Sequence, residues 1–152
     1  MMIAVAGRRA YVTTDFGGGW VFRWLRKYHI EDAQRPEATV FRFESVDPVE
    51  PSTQFGTTGP QGWGFTLWGS PDGEGFMYRH LLETFAKQNP DARLELPEWF
   101  NGEDLIEGEL IWHSQYVWVW YETVLSHIWL WSAEKDVIDS LRSALLPIAK
   151  PN

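Results

Sequence analysis

The alternation of apolar and polar residues in the last third of the chain predicts three antiparallel strands. Residues 109–113, 116–122 and 127–131 are rich in aromatic and β-branched side chains and show little helical periodicity. Ser114-Gln115 would form a two-residue turn between the first two strands, and residues 123–126 a four-residue loop between the last two. The segment is therefore predicted to be a meander whose loop lengths fix its register.

That register predicts which side chains oppose each other and which share a face. Across the four-residue loop the predicted pairs are Glu122 with His127, Trp120 with Trp129, and Trp118 with Trp131. Across the turn they are Trp118 with Ile111 and Tyr116 with His113. The opposite face would consist of Leu110, Trp112, Val117, Val119, Tyr121, Ile128 and Leu130. We expect this more aliphatic face to pack on helices, so the tryptophan face needs a cover from the N-terminal part, a second subunit or a ligand.

Apolar residues at helical spacing predict three helices. The first covers residues 19–30, the second ends near Gln88 before Asn89-Pro90, and the third follows Ser132, which is predicted to cap it. Their apolar stripes are Val21, Trp24, Leu25 and Tyr28; Tyr78, Leu81, Leu82 and Phe85; and Val137, Ile138, Leu141, Ala144 and Leu145. Pro147 would end the third helix.

Shorter strands are predicted elsewhere along the chain. Their composition places them at residues 2–6, 10–14, 39–46, 62–69 and 93–96. Residues 47–61 contain prolines and glycines and are predicted to be a long loop, whereas the glycines within 62–69 indicate a bulge or a close backbone approach. The predicted fold class is α+β, a single domain over residues 1–152 with a curved antiparallel sheet and two or three helices packed on one face.

Composition narrows the partners that such a domain can have. The formal net charge is −8, and after Phe76 twelve acids face six bases. Nucleic acid and anionic membranes both reward clustered Lys and Arg, so neither is expected as a partner. The chain has no cysteine, which excludes disulfides, thiolate metal sites and cysteine nucleophiles. No apolar run reaches membrane-spanning length, and a soluble cytoplasmic protein is expected.

Acidic and aromatic residues are concentrated in residues 94–134, which hold no Lys or Arg but eight acids and six of the ten tryptophans. Aromatic anchors ringed by carboxylates are typical of a surface that binds a basic protein. We expect this surface within residues 94–108 and its border, with Trp99 and Phe100 as the aromatics close to the acids. Its predicted members are Glu98, Trp99, Glu103, Asp104, Glu107 and Glu109. The alternative is a loop whose charges only keep the protein in solution.

The tryptophan face of the meander is a second candidate site. Its predicted members are Trp118, Trp120, Glu122, His127, Trp129 and Trp131. Such a face can stack on a sugar ring, and Glu122 with His127 has the chemistry of an acid/base pair. The sequence favours the alternative, in which the tryptophans are packing and the two polar residues form a contact at the sheet end. No HExxH helix, Gly-x-Ser-x-Gly elbow or phosphate-binding loop occurs, so no catalytic residue, metal or cofactor is predicted.

In size, acidity, lack of cysteine, tryptophan-rich short strands and an acidic segment with aromatics, the chain resembles bacterial immunity proteins, which neutralise toxin domains delivered between cells. The resemblance covers the whole chain. It implies a cytoplasmic, non-enzymatic inhibitor that binds a cognate toxin and blocks its active site or holds it in an inactive shape. Two further hypotheses are a glycan-binding, small-molecule-binding or hydrolytic domain that uses the tryptophan face, and a homodimer that buries this face.

Overall fold

The computed structural model describes residues 4–5, 10–11, 43–69, 76–100 and 103–149. The chain forms two compact units, Met1–Gln34 and Arg35–Asn152, and the single-domain expectation stays a prediction. In the first unit, β1 (Ala4–Val5) pairs with β2 (Ala10–Tyr11) in antiparallel fashion, and the rest of the predicted strands 2–6 and 10–14 lies outside the described residues. The predicted helix over residues 19–30 lies outside the described residues.

The described residues of the second unit form an antiparallel sheet of seven strands and two helices, which agrees with the α+β prediction. The strands are β3 (Phe43–Val46), β4 (Glu50–Phe55), β5 (Thr58–Gly69), β6 (Ala92–Glu95), β7 (Leu105–Trp112), β8 (Gln115–Glu122) and β9 (His127–Ser132). The helices are α1 (Phe76–Gln88) and α2 (Lys135–Leu145). The sheet order is β3-β5-β9-β8-β7-β6, and β4 pairs with β5 beside β3.

The core lies between the two helices and the aliphatic face of the sheet, as the sequence predicts. From the helices, the predicted stripes supply buried Tyr78, Leu81, Leu82, Phe85, Ile138, Leu141 and Leu145. From the sheet, all seven predicted members of the aliphatic face are buried in the same cluster. Neither of the helices that the structure describes is long and apolar enough to cross a membrane.

The four-residue loop between β8 and β9 fixes the register as predicted. Glu122 pairs with His127, Trp120 with Trp129, and Trp118 with Trp131. The other turn is formed one residue earlier than predicted, by His113-Ser114 instead of Ser114-Gln115, and both turn residues have positive φ angles of 50° and 64°. Trp118 therefore opposes Glu109, and Tyr116 opposes Ile111. The predicted register was wrong by two residues, but a two-residue slip leaves every side chain on its predicted face.

The predicted loop over residues 47–61 is wrong, because most of it forms the β4–β5 hairpin. Gly56, with φ of 69°, lies in its turn. Pro51 is tolerated inside β4 because β4 pairs with one neighbour only among the described strands, so a missing N–H does not interrupt a central ladder. Prolines that exclude a central strand therefore do not exclude an edge strand.

The β4–β5 hairpin supplies a cover for the tryptophan face that the sequence did not predict. The indole N–H of Trp131 donates to the carbonyl of Ser52 at 3.2 Å, and the ring of Phe55 meets Trp118 edge-on at 5.2 Å between centroids. Gly62 and Gly64 permit this close packing, since a Cβ at Gly64 would lie 2.7 Å from Nε1 of Trp129. The prediction that the glycines within residues 62–69 allow a close approach of neighbouring backbone is confirmed.

The third predicted helix begins later than the sequence indicates. Ser132 is the last residue of β9, and Glu134 occupies the N-cap position of α2. The Ser132 hydroxyl donates instead to the carbonyl of Tyr116 at 2.7 Å, which ties β9 to β8. The predicted cap was therefore wrong, whereas the end of α2 at Leu145, before Pro147, is confirmed.

Candidate functional site

Acidic side chains of β7 and tryptophans of β8 lie on the same face of the sheet. β7 begins at Leu105, four residues earlier than predicted, so Glu107 opposes Trp120 and Glu109 opposes Trp118. Side chains that oppose each other across antiparallel strands share a face. We call this surface the acid–tryptophan face; its residues on β6 to β9 are Arg93, Glu95, Leu105, Glu107, Glu109, Ile111, Tyr116, Trp118, Trp120, Glu122, His127, Trp129 and Trp131. The expectation that only Trp99 and Phe100 lie close to the acids is wrong.

Trp118 is the centre of the aromatic cluster on this face. Its ring centroid lies 5.5 Å from that of Trp120 and 5.4 Å from that of Trp129. Trp118 is 2% exposed and Trp131 is 3% exposed, so neither presents a free ring to a sugar. Trp120 and Trp129 keep part of their surface accessible. The predicted stacking platform is therefore reduced to the rings of Trp120 and Trp129, both of which contact the buried ring of Trp118.

A hydrogen bond joins the acids to the aromatic cluster. The indole N–H of Trp118 donates to Oε1 of Glu107 at 2.9 Å. Because Trp118 is buried, its position is fixed, and the carboxylate that accepts its N–H is held in one place. Glu107 itself is exposed. The charge of Glu107 is therefore presented to solvent at a defined point instead of on a freely rotating side chain.

Two exposed side chains with apolar surface lie on the same face as Glu107 and Glu109. Leu105 is 45% exposed and Tyr116 is 38% exposed, and both lie on the acid–tryptophan face. Burial raises the pKa of the Tyr116 hydroxyl, and the charges of Glu109 and Glu107 raise it further. This influence indicates that the phenol and both carboxylates share one electrostatic environment. The result is an apolar patch with concentrated negative charge beside it.

The structure places the six predicted contact residues in different surroundings. Glu107 and Glu109 are exposed on the acid–tryptophan face, whereas Glu98 and Trp99 lie in the connection between β6 and β7. Asp104 is exposed, and its Oδ1 accepts a hydrogen bond from the hydroxyl of Thr123, with 3.0 Å between the two oxygens. Glu103 is buried and is not part of the surface, as described next.

Glu103 forms a buried ion pair with Arg79 of α1. Nη2 and Nε of Arg79 donate to its two carboxylate oxygens at 2.5 and 3.0 Å, and the hydroxyl of Tyr121 also donates to it. Nη2 of Arg79 contacts the carbonyl of Pro97 at 2.9 Å as well. Arg79 thus anchors the connection that leads into β7. Arg79 lies three residues before Leu82 and so borders the apolar stripe of α1, but no local pattern in the sequence indicates Glu103 as its partner.

Glu122 and His127 form the predicted cross-strand pair, but without the companions that a catalytic or metal site requires. No group of three or more His, Asp or Glu residues in the described part of the chain is arranged to hold a metal ion. The nearest aromatic neighbour of His127 is Trp68, at 5.3 Å between ring centroids. Burial lowers the pKa of His127, an effect that the charge of Glu122 opposes.

We expect the depressed pKa of His127 to make the protein less stable in mild acid. The unfolded chain takes up a proton as the pH falls through about 6.5, whereas the folded imidazole resists protonation until a lower pH. The free energy of unfolding should therefore decrease below about pH 6.5 and level off once the folded imidazole is protonated. Urea unfolding at about pH 7.5 and about pH 5.5 measures this loss.

His127→Asn should reduce this pH-dependent loss of stability. His113→Asn is the matched control, because His113 is exposed and asparagine tolerates its φ of 50°. If His127→Asn lost as much stability between the two pH values as the unmodified protein, His127 would not be the responsible group.

The acid–tryptophan face thus combines ordered carboxylates, two accessible indole rings and exposed apolar side chains. These are features of binding surfaces, in which buried aromatic anchors lie inside a polar rim. The described residues contain no group of three or more His, Asp or Glu residues that could hold a metal ion on this face. No family model, no curated protein and no solved structure matches this chain.

Proposed function

We propose that this protein is a non-enzymatic protein-binding domain that holds a basic partner on its acid–tryptophan face. The observation that carries the proposal is the pairing of Glu107 with Trp120 and of Glu109 with Trp118 across β7 and β8. Aromatic rings supply area to bury, and carboxylates beside them select a partner with Lys or Arg at matching positions. The net charge of −8 adds long-range attraction to such a partner.

The partner is a cognate bacterial toxin domain, and the protein acts in the cytoplasm as its immunity protein. The resemblance in composition supports this assignment, and the acidic face adds a physical reason. A toxin that acts on nucleic acid needs a basic cleft, because phosphate rewards clustered Lys and Arg. An acidic face with aromatic anchors is complementary to such a cleft and can occlude it.

The half of the face that the β4–β5 hairpin leaves uncovered is the contact region. Phe55 and Ser52 of the hairpin lie against Trp118 of β8 and Trp131 of β9. The side chains of β7 and the accessible part of Trp120 lie beyond them. A partner would thus meet Glu107, Glu109 and Trp120 together, on a surface whose rings are already fixed by packing. Preorganisation of this kind lowers the entropy cost of association.

Reversing the charge of the contact region should weaken binding and make it less dependent on salt. The double variant Glu107→Lys, Glu109→Lys should lower the affinity for the toxin domain by at least about tenfold at low ionic strength, because two attractive charges become repulsive. Calorimetric titration with the cognate toxin domain, at about 50 mM and about 300 mM salt, measures both effects.

The matched control is Glu134→Lys, Asp136→Lys, which makes the same change in net charge on exposed residues of the α2 start. It should change affinity much less, since long-range attraction is screened over about 8–10 Å. Equal losses in both double variants would mean that only net charge matters, and unchanged affinity in the first would remove the acid–tryptophan face as the interface. Trp120→Ala, with both acids intact, tests the aromatic contribution separately.

A further inference from the structure

A small cavity lies next to the acid–tryptophan face, between the β3–β4 connection, β4, β5 and β9. Its volume is about 220 Å³, and the residues that matter for its chemistry are Asp47, Glu50, Ser52, Gly64, Thr66 and Trp129. Gly64 keeps this region open, because a Cβ at that position would lie 2.7 Å from Nε1 of Trp129 and 3.0 Å from Oγ of Ser52. Ligand pockets of ordinary size occupy roughly 300–1,000 Å³, so this cavity suits a single side chain.

The wall of the cavity bears two acidic side chains, and the guanidinium of Arg142 contacts only the backbone of this segment, where its Nε donates to the carbonyl of Asp47 at 2.8 Å. Asp47 and Glu50 both line it, and neither forms an ion pair with any Lys, Arg or His in the described residues. Asp47 is held in place, since its Oδ2 accepts the indole N–H of Trp68 at 2.8 Å and its amide donates to the carbonyl of Thr66 at 2.9 Å. Two carboxylates at the wall of a partly enclosed space attract a cation.

Two further features of the wall favour a ligand with hydrogen-bond donors. The hydroxyl oxygen of Ser52 is buried and has no hydrogen-bond partner. Unpaired buried hydroxyls are rare in folded proteins, and this one leaves an acceptor beside the cavity without a partner. Trp129 adds an aromatic ring, which attracts cations through its electron-rich face.

We propose that this cavity, here called the cation socket, receives one arginine side chain of the partner. The inference rests on the proposed function, and it names the chemistry of one contact. A guanidinium group is planar, stacks on tryptophan and can contact two carboxylates at once, which an ammonium group does less well. Trp129 belongs to the socket and also pairs with Trp120, so the socket is continuous with the acid–tryptophan face.

Blocked arginine is the probe that tests the socket without knowledge of the partner. N-acetyl-arginine amide is titrated into the ¹⁵N-labelled full chain, and the indole N–H resonance of Trp129 is followed by NMR. We expect a saturable shift with N-acetyl-arginine amide, a weaker one with N-acetyl-lysine amide and none with N-acetyl-citrulline amide, which has nearly the same shape but no charge. Equal shifts with arginine and citrulline would overturn the proposal.

The double variant Asp47→Asn, Glu50→Gln should weaken arginine binding by at least about tenfold, because both charges of the socket are removed. The matched control is Glu134→Gln, Asp136→Asn, which removes the same charge from α2 and should leave binding unchanged. Thermal unfolding of each variant reports whether the fold is retained, and Glu50→Gln alone, at an exposed position, serves if the double variant is unstable. Unaltered binding in Glu50→Gln and in the double variant would also overturn the proposal.

The socket and the proposed function can fail separately. Glu107→Lys, Glu109→Lys leaves the walls of the socket intact, so blocked arginine should still bind to that variant. If blocked arginine binds but charge reversal at these two residues does not change the affinity for the toxin domain, the acid–tryptophan face is not the interface, whereas the socket proposal is retained. If charge reversal abolishes toxin binding while blocked arginine shifts no resonance, the proposed function stands and the socket is wrong.

Discussion

Arg79→Met is expected to lower the free energy of unfolding by about 3–5 kcal/mol, the cost of leaving one member of a buried ion pair without its partner. The carboxylate of Glu103 would then be buried with only the hydroxyl of Tyr121 to support it. Glu103→Gln should also be destabilising, since the guanidinium would keep only the partly exposed carboxylate of Glu83, at 3.8 Å, as its counter-charge. Urea unfolding monitored by tryptophan fluorescence measures both losses.

The double variant Arg79→Met, Glu103→Leu should recover much of this loss, because replacing both members by apolar residues removes the uncompensated charge. Arg93→Met is the matched control: Arg93 also has a close ion pair, with Glu95 at 2.8 Å, but both side chains are more than half exposed. Arg93→Met should lower the free energy of unfolding by less than about 1 kcal/mol. If Arg79→Met cost no more than Arg93→Met, the buried pair would not be a stabilising element.

Gly62→Ala should destabilise the protein by about 3 kcal/mol, the upper end of the usual cost of overpacking. A Cβ at Gly62 would lie 2.5 Å from Cζ2 of Trp131 and still closer to the carbonyl oxygen of Ser132. A side chain can rotate away, but the carbonyl belongs to the backbone of β9. The strands β5 and β9 would therefore have to separate locally, and the cover over the tryptophan cluster would loosen with them.

Gly56→Ala separates this steric effect from backbone conformation. Nothing lies within 4 Å of a Cβ at Gly56, but its φ is 69°, so alanine there costs only the left-handed conformation, about 1–2 kcal/mol. Chemical denaturation of both variants gives the comparison. Should Gly62→Ala prove no more costly than Gly56→Ala, β5 and β9 would have more room between them than the structure has.

The meander was predictable where loop length alone decides the pairing. Residues 123–126 leave one simple way to pair β8 with β9, and all three predicted pairs are present. The neighbouring turn was not predictable in the same way. His113 and Ser114 both adopt the left-handed conformation that hairpin turns require, which the sequence usually signals with Asn or Gly. Without that signal the turn was placed one residue too late.

Two other wrong predictions came from treating acidic residues as markers of exposed loops. Glu107 and Glu109 alternate with Ile106, Gly108 and Leu110, which is the period of a strand, but the acidity of residues 103–107 suggested a turn-bearing segment, and the strand was predicted to begin only at Glu109. Glu103 was assigned to the surface because its counter-ion is 24 residues away, on a different element. Pairings over such distances depend on how helix and sheet pack, and no local pattern encodes them.

The strands at the edges of the sheet affect the tendency of the protein to aggregate at high concentration. β6, the last strand at one end of the described sheet order, has only four residues and exposes a charged pair, Arg93 and Glu95. Near the other end, β4 contains Pro51, which offers no N–H to an incoming strand. Short, charged or proline-bearing edges hinder strand-to-strand aggregation. The protein can therefore expose aromatic residues on one face while its edges resist the growth of fibrils.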